Sequence, residues 1–361
     1  MSATWLDRLA DLPPADADAM AAASGHLDRL TKPPGSLGGL EAIAIRLAGI
    51  RGRLVTDIER PVVIVFAGDH GVAARGVSAY PPEVTAQMVA NFATGGAAIN
   101  VLARAAGADL VVVDIGVSGA VPDGAPATGS ESGVRLVRAR VAPGTRDLST
   151  GPAMTPEETV AAIDVGRAVV TGLIGDGADL VALGEMGIGN TTAASAIVAA
   201  LTGRPAVEVT GRGTGVDDPA LVRKVAVIEA ALALHGLDPT DPLGVLAAVG
   251  GLEIAGLVGA ILGGAEAGIP VVLDGFITGA AALVATGLAP NLPDRLIAAH
   301  RSVEPGHAIV LERLGLRPIL ELDLRLGEGS GAALAIPIVR AAARICGEMA
   351  TFAQAGVSEA G

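Results

Sequence analysis

The sequence is poor in three things. Of its 361 residues only Cys346 is a cysteine. No disulfide can close within the chain and no cysteine-based zinc site can be built, which fits a reducing cytoplasm. Aromatic residues make up 2%, so Ala, Val, Leu and Ile must fill the core. Basic residues are outnumbered: 25 Lys and Arg face 38 Asp and Glu, a net charge of −13. That balance argues against a nucleic-acid partner, whose affinity is dominated by Lys and Arg contacts to phosphate. It leaves room for a small anion, because a few local donors hold one phosphate. The five histidines (His26, His70, His235, His300, His307) are scattered with no HExxH pair, and no metal site is expected. The N-terminus, MSATWLDRLADLPPAD, lacks a basic segment followed by an apolar one, so no signal peptide is read there.

What is present is apolar and rich in glycine. Hydrophobic residues reach 51%, which excludes a disordered chain, and there are 50 glycines, about twice the usual ~7% share. The glycines cluster at the ends of apolar runs. VVIVFAGD (62–69), LVVVDIG (110–116), LVALGE (180–185) and IPVVLDG (269–275) are short, β-branched and unalternating, as strands buried on both faces are. Helical patterns lie between them. Thr155-Pro156-Glu157-Glu158 is a capping box with proline at the first helical position, and Asp218-Pro219 opens another helix. Repeated strand, glycine loop and helix predict an α/β fold with a mostly parallel, Rossmann-like sheet flanked by helices. Ligands should sit at the C-terminal ends of its strands. Residues 1–58 and 331–361 read as helix only, which predicts a small helical domain built from both termini beside a large α/β domain over 59–330.

Residues 243–265, LGVLAAVGGLEIAGLVGAILGGA, imitate a membrane span and include a GxxxG from Gly259 to Gly263. Glu253 is their single charge, and nothing basic flanks them as an oriented span would require. A buried helix entered after the Gly250–Gly251 break is the preferred reading.

Several stretches carry polar groups where a ligand could meet them. Gly184-Glu185-Met186-Gly187-Ile188-Gly189-Asn190-Thr191-Thr192 follows a strand and precedes a helix. Its glycines let backbone N–H groups face an anion at a helix N-terminus, and Asn190, Thr191 or Thr192 could cap that helix. It is neither a P-loop nor a GxGxxG, and an ordinary capped turn would look the same. Gly68-Asp69-His70-Gly71 ends the first strand, either as an acid–base pair or as a hydrogen-bonded anchor. Ser302 lies in the dense polar run HRSVEPGH, where it could reach a phosphate or cap a helix. Lys224 stands on the helix after Asp218, where a lone lysine usually faces solvent. Finally, Glu328 lies between Gly327 and Gly329. It is either a turn residue or a buried base with a raised pKa.

Taken in order, LTKPPGSLGGLE, FAGDHGVAARGVSAYPPEVTAQMVANFATGGAAIN, GEMGIGNTTAASAI, VVLDGFITGAAAL, HRSVEPGH and LDLRLGEGSGAALA closely resemble one family, nicotinate-nucleotide:dimethylbenzimidazole phosphoribosyltransferase. The likeness runs from residue 30 to about 336. It implies transfer of 5-phosphoribosyl from nicotinate mononucleotide to 5,6-dimethylbenzimidazole, giving α-ribazole 5′-phosphate and nicotinate for cobalamin assembly. It also implies a cytoplasmic homodimer with no cofactor, no nucleic acid and no membrane. By the same match Glu328 is the general base and Glu185 a second acid near the reacting centre. Ser78 and Gln87 surround the benzimidazole, and Gly187, Gly189, Asn190, Thr191 and Thr192 form the phosphate and ribose loop. Lys224 and Ser302 match positions at the phosphate, Lys224 through a variable stretch. The glycines beside Glu328 would keep side chains clear of the flat base. A dinucleotide-dependent dehydrogenase lacks its fingerprint here. A non-catalytic binder of a corrinoid-pathway nucleotide is the alternative, and it would have no use for Glu328.

Overall fold

The computed structural model of the chain describes residues 5–121, 133–213 and 215–358. Six strands form one sheet: β1 (Pro61–Gly68), β2 (Asp109–Gly116), β3 (Val134–Arg138), β4 (Leu180–Met186), β5 (Val271–Leu273) and β6 (Leu296–Ala298). Every pairing is parallel, in the order β3-β2-β1-β4-β5-β6. Strand order reverses between β1 and β4, and the crevice beyond their C-terminal ends is where doubly wound sheets take ligands. The motifs GDHG and GEMGIGN follow those two strands.

The unalternating runs are explained by burial on both faces. Val62, Ile64 and Phe66 of β1 join one apolar cluster, while Val63, Val65 and Ala67 join another. The helices are α1 (Ala17–Asp28), α2 (Gly39–Arg51), α3 (Val84–Thr94), α4 (Ala98–Ala106), α5 (Pro156–Gly175), α6 (Asn190–Thr202), α7 (Ala206–Val209) and α8 (Asp218–His235). They continue with α9 (Pro242–Val249), α10 (Leu252–Glu266), α11 (Phe276–Leu288), α12 (Pro305–Leu314), α13 (Ser330–Glu348) and α14 (Phe352–Ala355). The first face is covered by residues of α5, α6, α10 and α11, the second by residues of α2, α3, α4 and α13.

Local signals act as their chemistry requires. Thr155 and Glu158 cap α5 reciprocally, and Asp217, one residue before the expected start, caps α8. The segment that imitates a membrane span is α9, the Gly250–Gly251 break and α10, whose residues Leu252–Ala265 are all buried. Among the described residues α13 alone is long and apolar enough to cross a bilayer, yet it lies across the sheet. Its Ala332, Ala333, Ile336 and Val339 pack on the second face, while Ala342 and Cys346 meet Leu27, Leu30 and Ala44 of the N-terminal segment.

Two strands escape the sequence reading. β3 and β6 are the edges of the sheet. β3 is only partly buried and carries Arg135 and Arg138, and β6 has three residues. β5 is also shorter than its apolar run.

Candidate active site

The turn at residues 327–329 is left-handed throughout: φ is +81° at Gly327, +62° at Glu328 and +82° at Gly329. It is pressed against β4, where Glu328 N donates to Glu185 O at 3.1 Å. A Cβ on Gly184 would run into the backbone of Glu328 and Gly329, and one on Gly327 into the Glu185 carboxyl. These glycines are therefore required by a positive φ and by backbone-to-backbone contact, a different reason from clearing space for a flat substrate. Asp274, just beyond β5, locks the far side. Its Oδ1 accepts from Gly331 N at 2.7 Å and Ala332 N at 3.0 Å, and its Oδ2 accepts from Gly329 N at 3.2 Å.

This packing buries three carboxyl groups together. Burial raises Glu328 above the ordinary carboxylate range; the Ile99 N–H at the start of α4 pulls it down and Asp274 pushes it up. Its Oε2 has no hydrogen-bond partner among the described residues. Glu185 is raised much further, by burial, then Asp274 and Glu253, against a stabilising bond from the Asn190 amide. Asp274 is raised by burial, opposed by His300 and the backbone amides it caps. Of the three, Glu185 is pushed furthest towards its protonated form and Glu328 less so.

A cleft opens beside Glu185 and Asp274, lined also by Gly187, Asn190, Thr191, Gly213 and Ser302; it reaches Gly327, while Glu328, Gly189, Thr192 and Lys224 lie behind its lining. A larger groove between α2 and β6 contains no carboxylate or histidine. The loop into α6 corrects one expectation. Its cap is Gly189, at φ +97°, and no side chain caps the helix. The polar side chains turn elsewhere: Asn190 donates to Glu185, and Thr191 Oγ1 accepts from Lys224 Nζ at 2.7 Å. Thr192 is buried, with no partner for its hydroxyl among the described residues. Lys224 does not face solvent as a lone helix lysine usually does. It is 0% exposed, donates also to Gly211 O at 3.2 Å, and is pushed down to about 8 by burial, with Glu304 acting against that. Ser302 caps no helix, since Glu304 precedes α12. Its N–H donates to His307 Nδ1 at 2.9 Å, and burial holds His307 down to about 3, a neutral ring able to accept. Ser78 is half-buried on the segment leading to α3 and Gln87 is exposed on α3. Neither lines the cleft, although α3 touches its loop where Ile188 N donates to Thr85 Oγ1.

Residues 12–357 match the sequence model of a family described as Phosphoribosyltransferase. The chain belongs to that family. It is 58% identical over 346 residues to the nicotinate-nucleotide–dimethylbenzimidazole phosphoribosyltransferase of Chloroflexus aggregans, covering 96% of each chain. It also matches the crystal structure of a nicotinate-nucleotide–dimethylbenzimidazole phosphoribosyltransferase from Thermus thermophilus, with a TM-score of 0.88 and 51% identity over 96% of this chain and 100% of that one. A structure titled CobT from the same organism gives 0.89 and 53%, over 95% and 100%. Within this phosphoribosyltransferase frame three cleft residues stand out that sequence reasoning left unassigned: Asp274, His300 and Glu304. His300 Nε2 lies 3.6 Å from Asp274 Oδ1, and Glu304 Oε1 accepts from Gly213 N at 2.8 Å. The signal available was an acid directly after the strand VVL and two acid–base residues inside HRSVEPGH. Among the described residues no group of three or more His, Cys, Asp or Glu is arranged to hold a metal.

Proposed function

We propose that this chain transfers 5-phosphoribosyl from nicotinate mononucleotide to 5,6-dimethylbenzimidazole, releasing nicotinate and forming α-ribazole 5′-phosphate. The observation that carries the reading is Glu328: a buried, left-handed glutamate with a raised pKa, in a chain 58% identical to a curated enzyme of that name. One benzimidazole nitrogen attacks C1′ from the face opposite the pyridinium, inverting β to α. The pyridinium leaves as a neutral ring, so departure needs no acid. The other nitrogen gives its proton to Glu328, which avoids a cationic product and is typically worth ~10²–10⁴-fold. We infer that Glu185, pushed further towards its protonated form than Glu328, retains its proton and leaves Glu328 to ionise.

In this reading Gly187, Gly189, Asn190, Thr191 and Thr192 hold the ribose and phosphate, with Lys224 behind Thr191 and Ser302 opposite. Ser78 and Gln87 approach the base from the α3 side. We further propose that the chain works in the cytoplasm and pairs as a homodimer. Exposed Leu326 on the cleft lining, with Val303 and Leu322 also exposed, supports pairing, and light scattering should then give a mass about twice 35.5 kDa.

The test is incubation with nicotinate mononucleotide and a panel of benzimidazoles, purines and phenols, with products identified by mass. Nicotinate release with at least one base is expected; none with any base refutes the transfer. Glu328→Gln should keep mononucleotide affinity and lose at least ~10²-fold in turnover. Unchanged turnover removes Glu328 from the mechanism, whereas mononucleotide binding without nicotinate release by wild type favours a non-catalytic binder.

A further inference from the structure

Gly68-Asp69-His70-Gly71, after β1, is the motif to which the proposed reaction gives no part. His70 Nε2 lies 2.6 Å from Glu253 Oε1, and both side chains are wholly removed from solvent. Glu253 is the second residue of α10, where a helix N-terminus favours a carboxylate. Burying two such polar groups carries a desolvation cost that apolar side chains filling the same space would not.

What the imidazole touches supplies a reason. A Cβ on Gly187 would lie 3.4 Å from His70 Cδ2 and Nε2, and one on Gly189 would lie 3.3 Å from His70 Cβ. On the opposite side a Cβ on Gly251 would run into His70 Cε1. The ring therefore stands between the loop at 187–189 and the backbone entering α10, within reach of a methyl placed on Gly187 or on Gly251. Its rotation is set by Glu253. The main chain just before His70 is pinned from both sides, since Asp69 N donates to Gly116 O and Thr145 N donates to Asp69 O, each at 2.9 Å. The Asp69 carboxylate is engaged as well, accepting from Ser118 N and Oγ at 2.7 Å each.

We propose that the buried His70–Glu253 pair is a positioning element for the mononucleotide, a fixed post that sets where Gly187–Gly189 stand in the cleft wall. The inference rests on the assignment of that loop to the mononucleotide. A post that shapes a binding wall acts on bound substrate and transition state alike, so its loss shows in KM rather than kcat.

The test is steady-state kinetics on His70→Gln, Glu253→Gln, Glu253→Ala and Gly251→Ala, each with its melting curve. His70→Gln keeps an N–H donor for Glu253 but removes the ring edge beneath Gly187. Its KM for nicotinate mononucleotide should rise at least ~10-fold, with kcat and the KM for the base within ~3-fold. Glu253→Gln, which keeps an acceptor for the ring, should raise KM less than Glu253→Ala. A His70→Gln enzyme with wild-type KM, or with its loss confined to kcat or melting temperature, overturns the proposal. If His70→Gln does not fold, Gly251→Ala decides, because its methyl pushes the ring towards the loop; an unchanged KM there overturns the proposal equally. Wild-type protein assayed alongside keeps the two readings apart. No nicotinate release by wild type refutes the transferase reading, whereas wild-type turnover with unaltered variant KM refutes only the positioning role.

Discussion

Glu328 and Asp323 are the only described non-glycine residues with positive φ. An aspartate tolerates that region through its short polar side chain; a glutamate has no such compensation, and the left-handed conformation costs roughly 1–2 kcal/mol. Strain of this kind persists where the surroundings over-determine it, and it gathers at active sites. Here the surroundings are Gly184 beneath the turn and Asp274 gripping three amides behind it. If function keeps the acid there, replacing it with the residue its backbone prefers should help the fold. Glu328→Gly is expected to raise unfolding free energy by about 1 kcal/mol while abolishing turnover. Denaturant unfolding and the nicotinate-release assay check the two halves. A destabilised Glu328→Gly would show that the side chain is held for structure.

At the scale of elements, glycine and alanine do the work that large side chains do elsewhere. α5 and α10 cross almost backbone on backbone: a Cβ on Gly166 would strike Gly256 O, and one on Gly259 would strike Ile163 O. The GxxxG that imitates a membrane dimer motif is thus the contact surface for α5. Gly259→Ala should cost about 3 kcal/mol or more, because neither backbone can give way, and its denaturation midpoint should fall accordingly. A midpoint near wild type would mean that the helices can part freely. The same packing explains what was legible in the sequence. β1, β2 and β4 are buried on both faces, so their apolar runs are continuous; β3 is a partly buried edge with no such run, and β6 is apolar and buried but only three residues long. The Thr155 box was readable because its partners lie three residues apart. The α6 cap was misread because Asn190 and Thr191 have better partners in Glu185 and Lys224, and Lys224 is 33 residues from Thr191. Asp274 meets Gly331 across 57 residues of chain, a contact created by the sheet topology and invisible to local spacing.

On the scale of the molecule, the strand-order reversal gathers carboxyl groups into one buried place, and stability must then depend on pH. Glu185, Asp274 and Glu328 are all raised, mainly by burial. An acid raised by folding contributes fully below its unfolded pKa and loses that contribution as pH rises through its folded pKa. Asp57 and Glu158, lowered by Arg344 and Arg146, have the opposite sign and lose theirs as pH falls. They lie near the surface, where such pairs are worth little. Lys224, lowered to about 8, acts in a separate window. Its contribution is present above its unfolded pKa and is lost as pH falls through the folded one. Below its unfolded pKa His307, held down to about 3 by burial, opposes the buried acids, its contribution growing as pH rises; above that the buried acids dominate, and the net charge of −13 adds self-repulsion. Melting temperature should decline from about pH 6.5 to about pH 8. Glu185→Gln, which cannot ionise, should decline less, so the variant's melting temperature minus that of wild type should grow more positive across that range. A difference that stays constant with pH would mean that Glu185 titrates like a solvated glutamate, and the assignment of the retained proton to Glu185, with the base role left to Glu328, would fall with it.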